Sequence, residues 1–289
     1  MINRERHEHY FKPVSEIYPE AISQQRNMPP SLKMPWWPKF NEYTGGFRPH
    51  EFTILCGATG AGKTTLLANI SAQLVEQEEK HAVMSVETGP YDFALRVVSA
   101  MSGLDINRGE SVTDKLYADA TTAVGEKLSK DVLEIGLYEN RVSLDDLIYH
   151  IQCASDSGAK LVMLDNLNFF MEVVRASDSI IEMDRVVHEL IMLVKKLPIH
   201  VIMVMHPKKT EHGRVESEFD VKGSSTAVQE SQQVFLFNRM PRGDLESDPV
   251  MKYRRELKFA KMRRRGEFVG NSIVFESKQT QYSEYSVRT

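Results

Sequence analysis

Short runs dominated by apolar residues recur along the chain at Phe52–Cys56, Ala82–Val86, Val132–Leu137, Leu161–Leu164, Val201–Met205 and Val234–Phe237. Such runs are nearly continuous rather than alternating, which is the pattern of strands buried on both faces. Between them the apolar spacing turns helical. Leu66, Leu67, Ile70 and Leu74 follow the first run, and Ser143-x-x-Asp146 forms a capping box opening a helix that Gly158 closes. Ile180 to Leu197 carries a further helical pattern that Pro198 stops. Strands alternating with helices predict an α/β domain whose mainly parallel sheet is covered by helices, with ligands at the carboxyl ends of its strands. From Arg254 onward the pattern changes to ELKFAKM, a basic turn, then NSIVFES, which predicts an antiparallel β-hairpin closing the sheet edge.

Residues 1–34 are polar, interrupted by Pro13, Pro19, Pro29 and Pro30, and read as an N-terminal arm or linker with one short helix near Pro19–Arg26. A disordered tail and an arm docking on a neighbouring subunit both stay open. Residues 35–289 read as one domain. At its start Trp36, Trp37, Phe40 and Phe47 gather around Gly45-Gly46, as core edge or as pocket wall.

Composition narrows the class. The chain has 289 residues, 42% hydrophobic and 26% charged, a globular profile, and no apolar run approaches a membrane span. The N-terminus lacks the apolar stretch of a secretory signal. Two cysteines, Cys56 and Cys153, give neither a disulfide framework nor a metal spacing, so a reducing, cytoplasmic compartment is expected. A net charge of −4 argues against indiscriminate adhesion to nucleic acid, although a global sum conceals local strips.

The most specific stretch follows the first strand. Gly57-Ala58-Thr59-Gly60-Ala61-Gly62-Lys63-Thr64, with Thr65 opening the helix, has the glycine spacing that lets consecutive backbone N–H groups face a phosphate. Lys63 then reaches the β- and γ-phosphates, and the Thr64 hydroxyl is a ligand for Mg²⁺. ATP or another nucleoside triphosphate with Mg²⁺ is the expected ligand. Polar residues at the other strand ends add candidates. Asp165 follows Leu161–Leu164 as a Walker B carboxylate holding the hydrated metal. Glu87 follows Ser85-Val86 and is placed to take a proton from attacking water. His206 ends the next run as a γ-phosphate sensor or donor, and Arg239 is suited to a phosphate or a base.

Two basic clusters remain. Residues 254–266 hold seven Lys or Arg against one acid, and Lys261 and Arg263 fall two apart on one face of a strand. Entering the next subunit's site, they would supply arginine-finger stabilisation; the bland alternative is a charged sheet edge. Lys208, Lys209 and Arg214 lie in the polar loop after His206 and suit sequence-independent contact with the phosphates of a single strand.

These pieces in this order resemble the RecA-like motor of the DnaB-superfamily hexameric replicative helicases, in particular the Twinkle-type and phage primase-helicase members. The stretches that carry the resemblance are WWPKFNEYTGGF…EFTILCGATGAGKTT, VMSVETGP, LVMLDNLNFFM, VIMVMHPKKTE, KGSSTAVQESQQVFLFNR and KFAKMRRRGEFVG. The resemblance implies a RecA-like P-loop NTPase that assembles as a ring, the family's hexamer, translocates on single-stranded DNA and unwinds duplex. By position it implies Glu87 as catalytic base, Asp165 as Walker B acid and His206 as sensor. It also implies Lys208, Lys209 and Arg214 at the DNA, Lys261 and Arg263 as the finger in trans, and Arg239 with Phe275 sandwiching the base. No primase module precedes the motor in this sequence, so priming is expected either to come from elsewhere, with a separate primase and polymerase as partners, or to be absent. Two other readings stay open: a recombinase ATPase forming filaments on DNA, and a non-translocating ATPase that loads or regulates a partner.

Overall fold

A computed structural model describes residues 12–106, 113–138, 142–166, 179–208, 214–222, 225–240, 249–278 and 280–285. Among them nine strands form one sheet: β1 Glu51–Cys56, β2 His81–Ser85, β3 Leu133–Ile135, β4 Leu161–Asp165, β5 His200–Met205, β6 Gln233–Arg239, β7 Arg254–Met262, β8 Ser272–Lys278 and β9 Gln281–Glu284. Their order across the sheet is β3-β2-β4-β5-β1-β6-β7-β8-β9. The first six are parallel and the last three antiparallel, as the change of pattern after Arg254 predicts. Strand β9 has no forerunner in the sequence pattern, because Gln-Tyr-Ser-Glu carries no apolar run to announce it. Strand β3 covers only Leu133–Ile135 of the run Val132–Leu137, since as the sheet edge it pairs only with β2.

The helices are α1 Val14–Asn27, α2 Pro38–Thr44, α3 Lys63–Glu76, α4 Pro90–Ser102, α5 Asp114–Leu128, α6 Leu144–Asp156, α7 Ser179–Val194 and α8 Ser225–Glu230. The box expected at α6 is present: Ser143 Oγ accepts from Asp146 N at 3.1 Å, and Asp146 Oδ2 accepts from Ser143 N at 3.3 Å. None of these helices is long and apolar enough to cross a membrane.

Two cores explain the continuous runs. Strand residues alternate between faces, so Ile54, Cys56, Val162, Leu164, Val201 and Met203 pack with α6 and α7. Their neighbours Leu55, Leu161, Met163, Ile202 and Val204 pack with α3 and α4. The Trp36–Phe47 stretch belongs to the second core. Trp37, Phe40 and Phe47 are buried, while Trp36 Nε1 donates to Glu76 Oε2 at 2.9 Å and holds the stretch on α3. Of the two openings left for these aromatics, the structure selects core.

By contact density the chain divides into Met1–Pro30 and Ser31–Thr289. In the first unit α1 extends the short helix expected near Pro19–Arg26 and buries no residue; Val14, Ile17, Tyr18 and Ile22 are exposed along it.

Candidate active site

Because β1, β2, β4, β5 and β6 are parallel, their carboxyl ends lie on one edge of the sheet, and the residues that follow them meet there. The loop between β1 and α3 is fitted to this edge by the absence of side chains. A Cβ on Gly57 would stand 2.3 Å from the Phe237 carbonyl oxygen, and Gly62 takes φ 103°, a left-handed conformation. Lys63 is buried at the start of α3, and its Nζ donates to Gly57 O at 2.8 Å and Ala58 O at 3.1 Å. Burial lowers its ammonium pKa, and the carboxylates of Asp165 and Glu87 oppose that shift.

Opposite, Thr64 Oγ1 donates to Asp165 Oδ2 at 2.7 Å. Asp165 ends β4 almost wholly buried, and desolvation raises its carboxyl to about 6. A hydroxyl and a carboxylate converging beside a phosphate loop form the hard-oxygen donor pair that Mg²⁺ takes from protein, with phosphate and water completing its shell. The site thus fits the metal.

Asn166, the next residue, was not singled out from sequence. Its Nδ2 donates to Glu87 Oε2 at 2.5 Å and lies 2.7 Å from His206 Nε2. An amide nitrogen only donates, so His206 Nε2 accepts and the ring proton sits on Nδ1. Burial first, and Lys63 second, lower the His206 pKa, consistent with that neutral form. The signal for Asn166 was its position one residue beyond a strand-terminal Asp.

Arg239, at the end of β6, donates from Nε and Nη2 to Gly60 O at 2.9 and 2.6 Å. Arg255, also missed from sequence, donates from Nε to Ala61 O at 2.9 Å. Ala58, Thr59, Gly60 and Ala61 therefore form a loop held at its Gly60 and Ala61 carbonyls by basic side chains. From α4, Arg96 Nη1 lies 3.4 Å from Thr65 Oγ1.

Phe275 corrects an expectation. Its ring is fully buried, 4.8 Å from Trp37 and 6.0 Å from Tyr282 between ring centroids, so it packs the core and does not stand free to sandwich a base with Arg239. Arg214 is paired with Glu216, at 2.7 Å, and with Glu256. Lys208 is exposed beyond β5, its Nζ on Phe219 O at 2.8 Å. Lys209 lies outside the described residues.

Lys261 and Arg263 come together as their spacing predicts. Both donate to Gln229 O, at 2.6 and 2.5 Å, and Lys261 also to Val228 O at 2.5 Å. Burial, then Arg263, bring the Lys261 ammonium down to about 8. The register separates them from the chain's own loop. Arg255 pairs with Arg239 at one end of β7, and Lys261 pairs with Val234 at the other. Six residues of strand span about 20 Å.

A parallel sheet with an antiparallel extension, a phosphate loop, and a carboxylate on each of two strand ends together define a RecA-like P-loop NTPase. The DnaB-like helicase C terminal domain family matches residues 36–284, and the chain belongs to that family. Its members are NTP-hydrolysing DNA helicases, and hexameric assembly is typical of them; the chain is a helicase motor domain of this family. Two solved structures share the fold. One, described as an ATPase domain, has a TM-score of 0.76 at 13% identity, covering 96% of this chain and 100% of that one. The other, a DnaB-like replicative helicase described with its interactions with primase, has a TM-score of 0.75 at 16% identity, covering 94% of this chain and 66% of that one.

Proposed function

We propose that the chain forms a ring on single-stranded DNA and unwinds duplex by hydrolysing ATP at the interfaces between subunits. Lys63 and the N–H groups of residues 62–65 bind the phosphates. Thr64 and Asp165 hold Mg²⁺, which offsets charge on the phosphate oxygens. Glu87 accepts the proton of the attacking water, its carboxylate aimed by Asn166. His206, joined to Glu87 through the same amide, senses the γ-phosphate and stands two residues before Lys208, so the state of the phosphate reaches the loop that grips the strand. Lys208 and Lys209 contact DNA phosphates.

The observation that carries the assembly is the length of β7. Lys261 and Arg263 sit about 20 Å along the strand from the chain's own phosphate loop, too far to serve it, so they complete the pocket of the next copy. Among the family's known assemblies a hexamer fits this arrangement, and the exposed apolar face of α1 suits the arm to docking on a neighbour. Free thiols at Cys56 and Cys153 agree with work in a reducing cytoplasm, of a bacterium or a phage-infected cell, beside a separate primase and polymerase. The test is strand displacement from a forked duplex with ATP and Mg²⁺, against Lys63→Ala as control. ATP-dependent displacement that the control loses supports the motor; hydrolysis indifferent to single-stranded DNA, without displacement, refutes it.

A further inference from the structure

Arg255 occupies the end of β7 opposite Lys261 and Arg263, and its guanidinium reaches out of its strand to the phosphate loop. Nη1 is fixed on Lys252 O at 2.8 Å and Arg254 O at 2.7 Å, so the group is anchored to the start of β7 while Nε donates to Ala61 O at 2.9 Å. The loop is backed there on a second side. A Cβ on Gly62 would lie 2.6 Å from the Tyr282 hydroxyl and 3.7 Å from Arg255 Nε. Tyr282 is itself held, its N–H on Asn69 Oδ1 at 2.7 Å and its carbonyl on Trp37 Nε1 at 2.8 Å. The backbone carbonyls of Gly60 and Ala61 thus face fixed donors, and the Ala61 N–H closes the turn on Ala58 O at 3.1 Å. Strand β7 is paired on both sides from Arg255 to Lys258, to β6 and to β8, and its pairing to β6 continues to Lys261 and Met262 past a shift of register between Val234 and Phe235, so one backbone ladder joins Arg255 to the Lys261 end.

We propose that Arg255 is a positioning residue that ties the chain's own phosphate loop to β7, so that nucleotide binding in that pocket is transmitted along the strand to Lys261 and Arg263. The destination rests on the reading above, in which those two residues serve the neighbouring pocket; the link from loop to strand does not. Each copy then presents its finger according to its own occupancy, which orders hydrolysis around a ring.

The test uses the full chain and its Arg255→Gln and Arg255→Lys variants, checked for unchanged thermal unfolding. Amide hydrogen exchange is followed with and without saturating ADP and Mg²⁺. In the parent and in Arg255→Lys, nucleotide slows exchange in peptides covering 57–65 and 258–265. In Arg255→Gln the first effect remains and the second is lost. Losing one charge-assisted bond to the loop should raise KM for ATP about tenfold. The same slowing at 258–265 in Arg255→Gln as in the parent, no slowing there in the parent, or a fall in kcat at unchanged KM each overturns the proposal. Arg263→Ala separates the two ideas. It removes turnover if the finger acts in trans and leaves the exchange link intact; turnover retained with the link present discards the finger and keeps Arg255.

Discussion

Acid should destabilise this fold through two histidines that have nothing to do with catalysis. His81 and His200 begin β2 and β5, both fully buried. His200 places Nδ1 2.8 Å from Arg48 O and Nε2 2.8 Å from Thr53 Oγ1. His81 places Nδ1 2.9 Å from Glu79 O, and its Nε2 has no partner among the described residues, so a second ring proton there would be a buried donor unpaired by them. Desolvation brings both rings from 6.5 to about 4. The unfolded chain therefore binds more protons than the folded one between about pH 4 and 6.5. Stability is complete above that window, falls as pH drops through it, and levels off below. At about 1.4 kcal/mol per pH unit, each ring removes about 2 kcal/mol by about pH 5 and about 3 kcal/mol by about pH 4. Two rings are a large share of the roughly 5–15 kcal/mol typical of a domain. Urea unfolding followed by tryptophan fluorescence at several pH values between about 7.5 and 5 measures the slope. His81→Gln and His200→Gln will each be less stable near neutral pH, yet each should remove about half of the histidine contribution to the slope. Curves that stay parallel to the parent's would show that these rings do not titrate on unfolding.

Three further outcomes follow from the site. Arg263→Ala should lower turnover by about 10³–10⁵ while sparing nucleotide affinity, and mixing it with Lys63→Ala subunits should restore some hydrolysis at interfaces that pair two intact halves; no recovery at any ratio speaks against shared sites. Asn166→Ala frees both Glu87 and His206, so kcat should fall by about 10–100-fold, as expected when a supporting residue is lost, with ATP binding kept; loss of binding instead would mean the amide holds the loop rather than the base. Gly57→Ala should abolish ATP binding, because its methyl would press against the Phe237 carbonyl at 2.3 Å and neither backbone can yield without moving β6; near-parental affinity in a filter-binding assay would contradict that geometry.

The local features were legible because short-range rules govern them. The phosphate loop, the box at Ser143, the runs that became strands and the polar residue at each strand end are all specified by neighbours in sequence, and parallel pairing then carries those ends to one edge. Lys63, Thr64, Glu87, Asp165 and His206 were singled out that way, and the structure gathers them at that edge. What only the tertiary structure decided depends on residues far apart in the chain. Phe275 read as a base-stacking ring and is core, since Trp37 and Tyr282 close over it. Arg214 gains Glu256 as a partner because folding brings that carboxylate to it from β7. Strand β9, the grip of Arg255 on the phosphate loop and the distance of Lys261 and Arg263 from their own pocket all follow from how the antiparallel strands stack against the end of β6. Sequence spacing does not record that pairing, because register across a sheet is set by packing between segments and not by the order of residues within one.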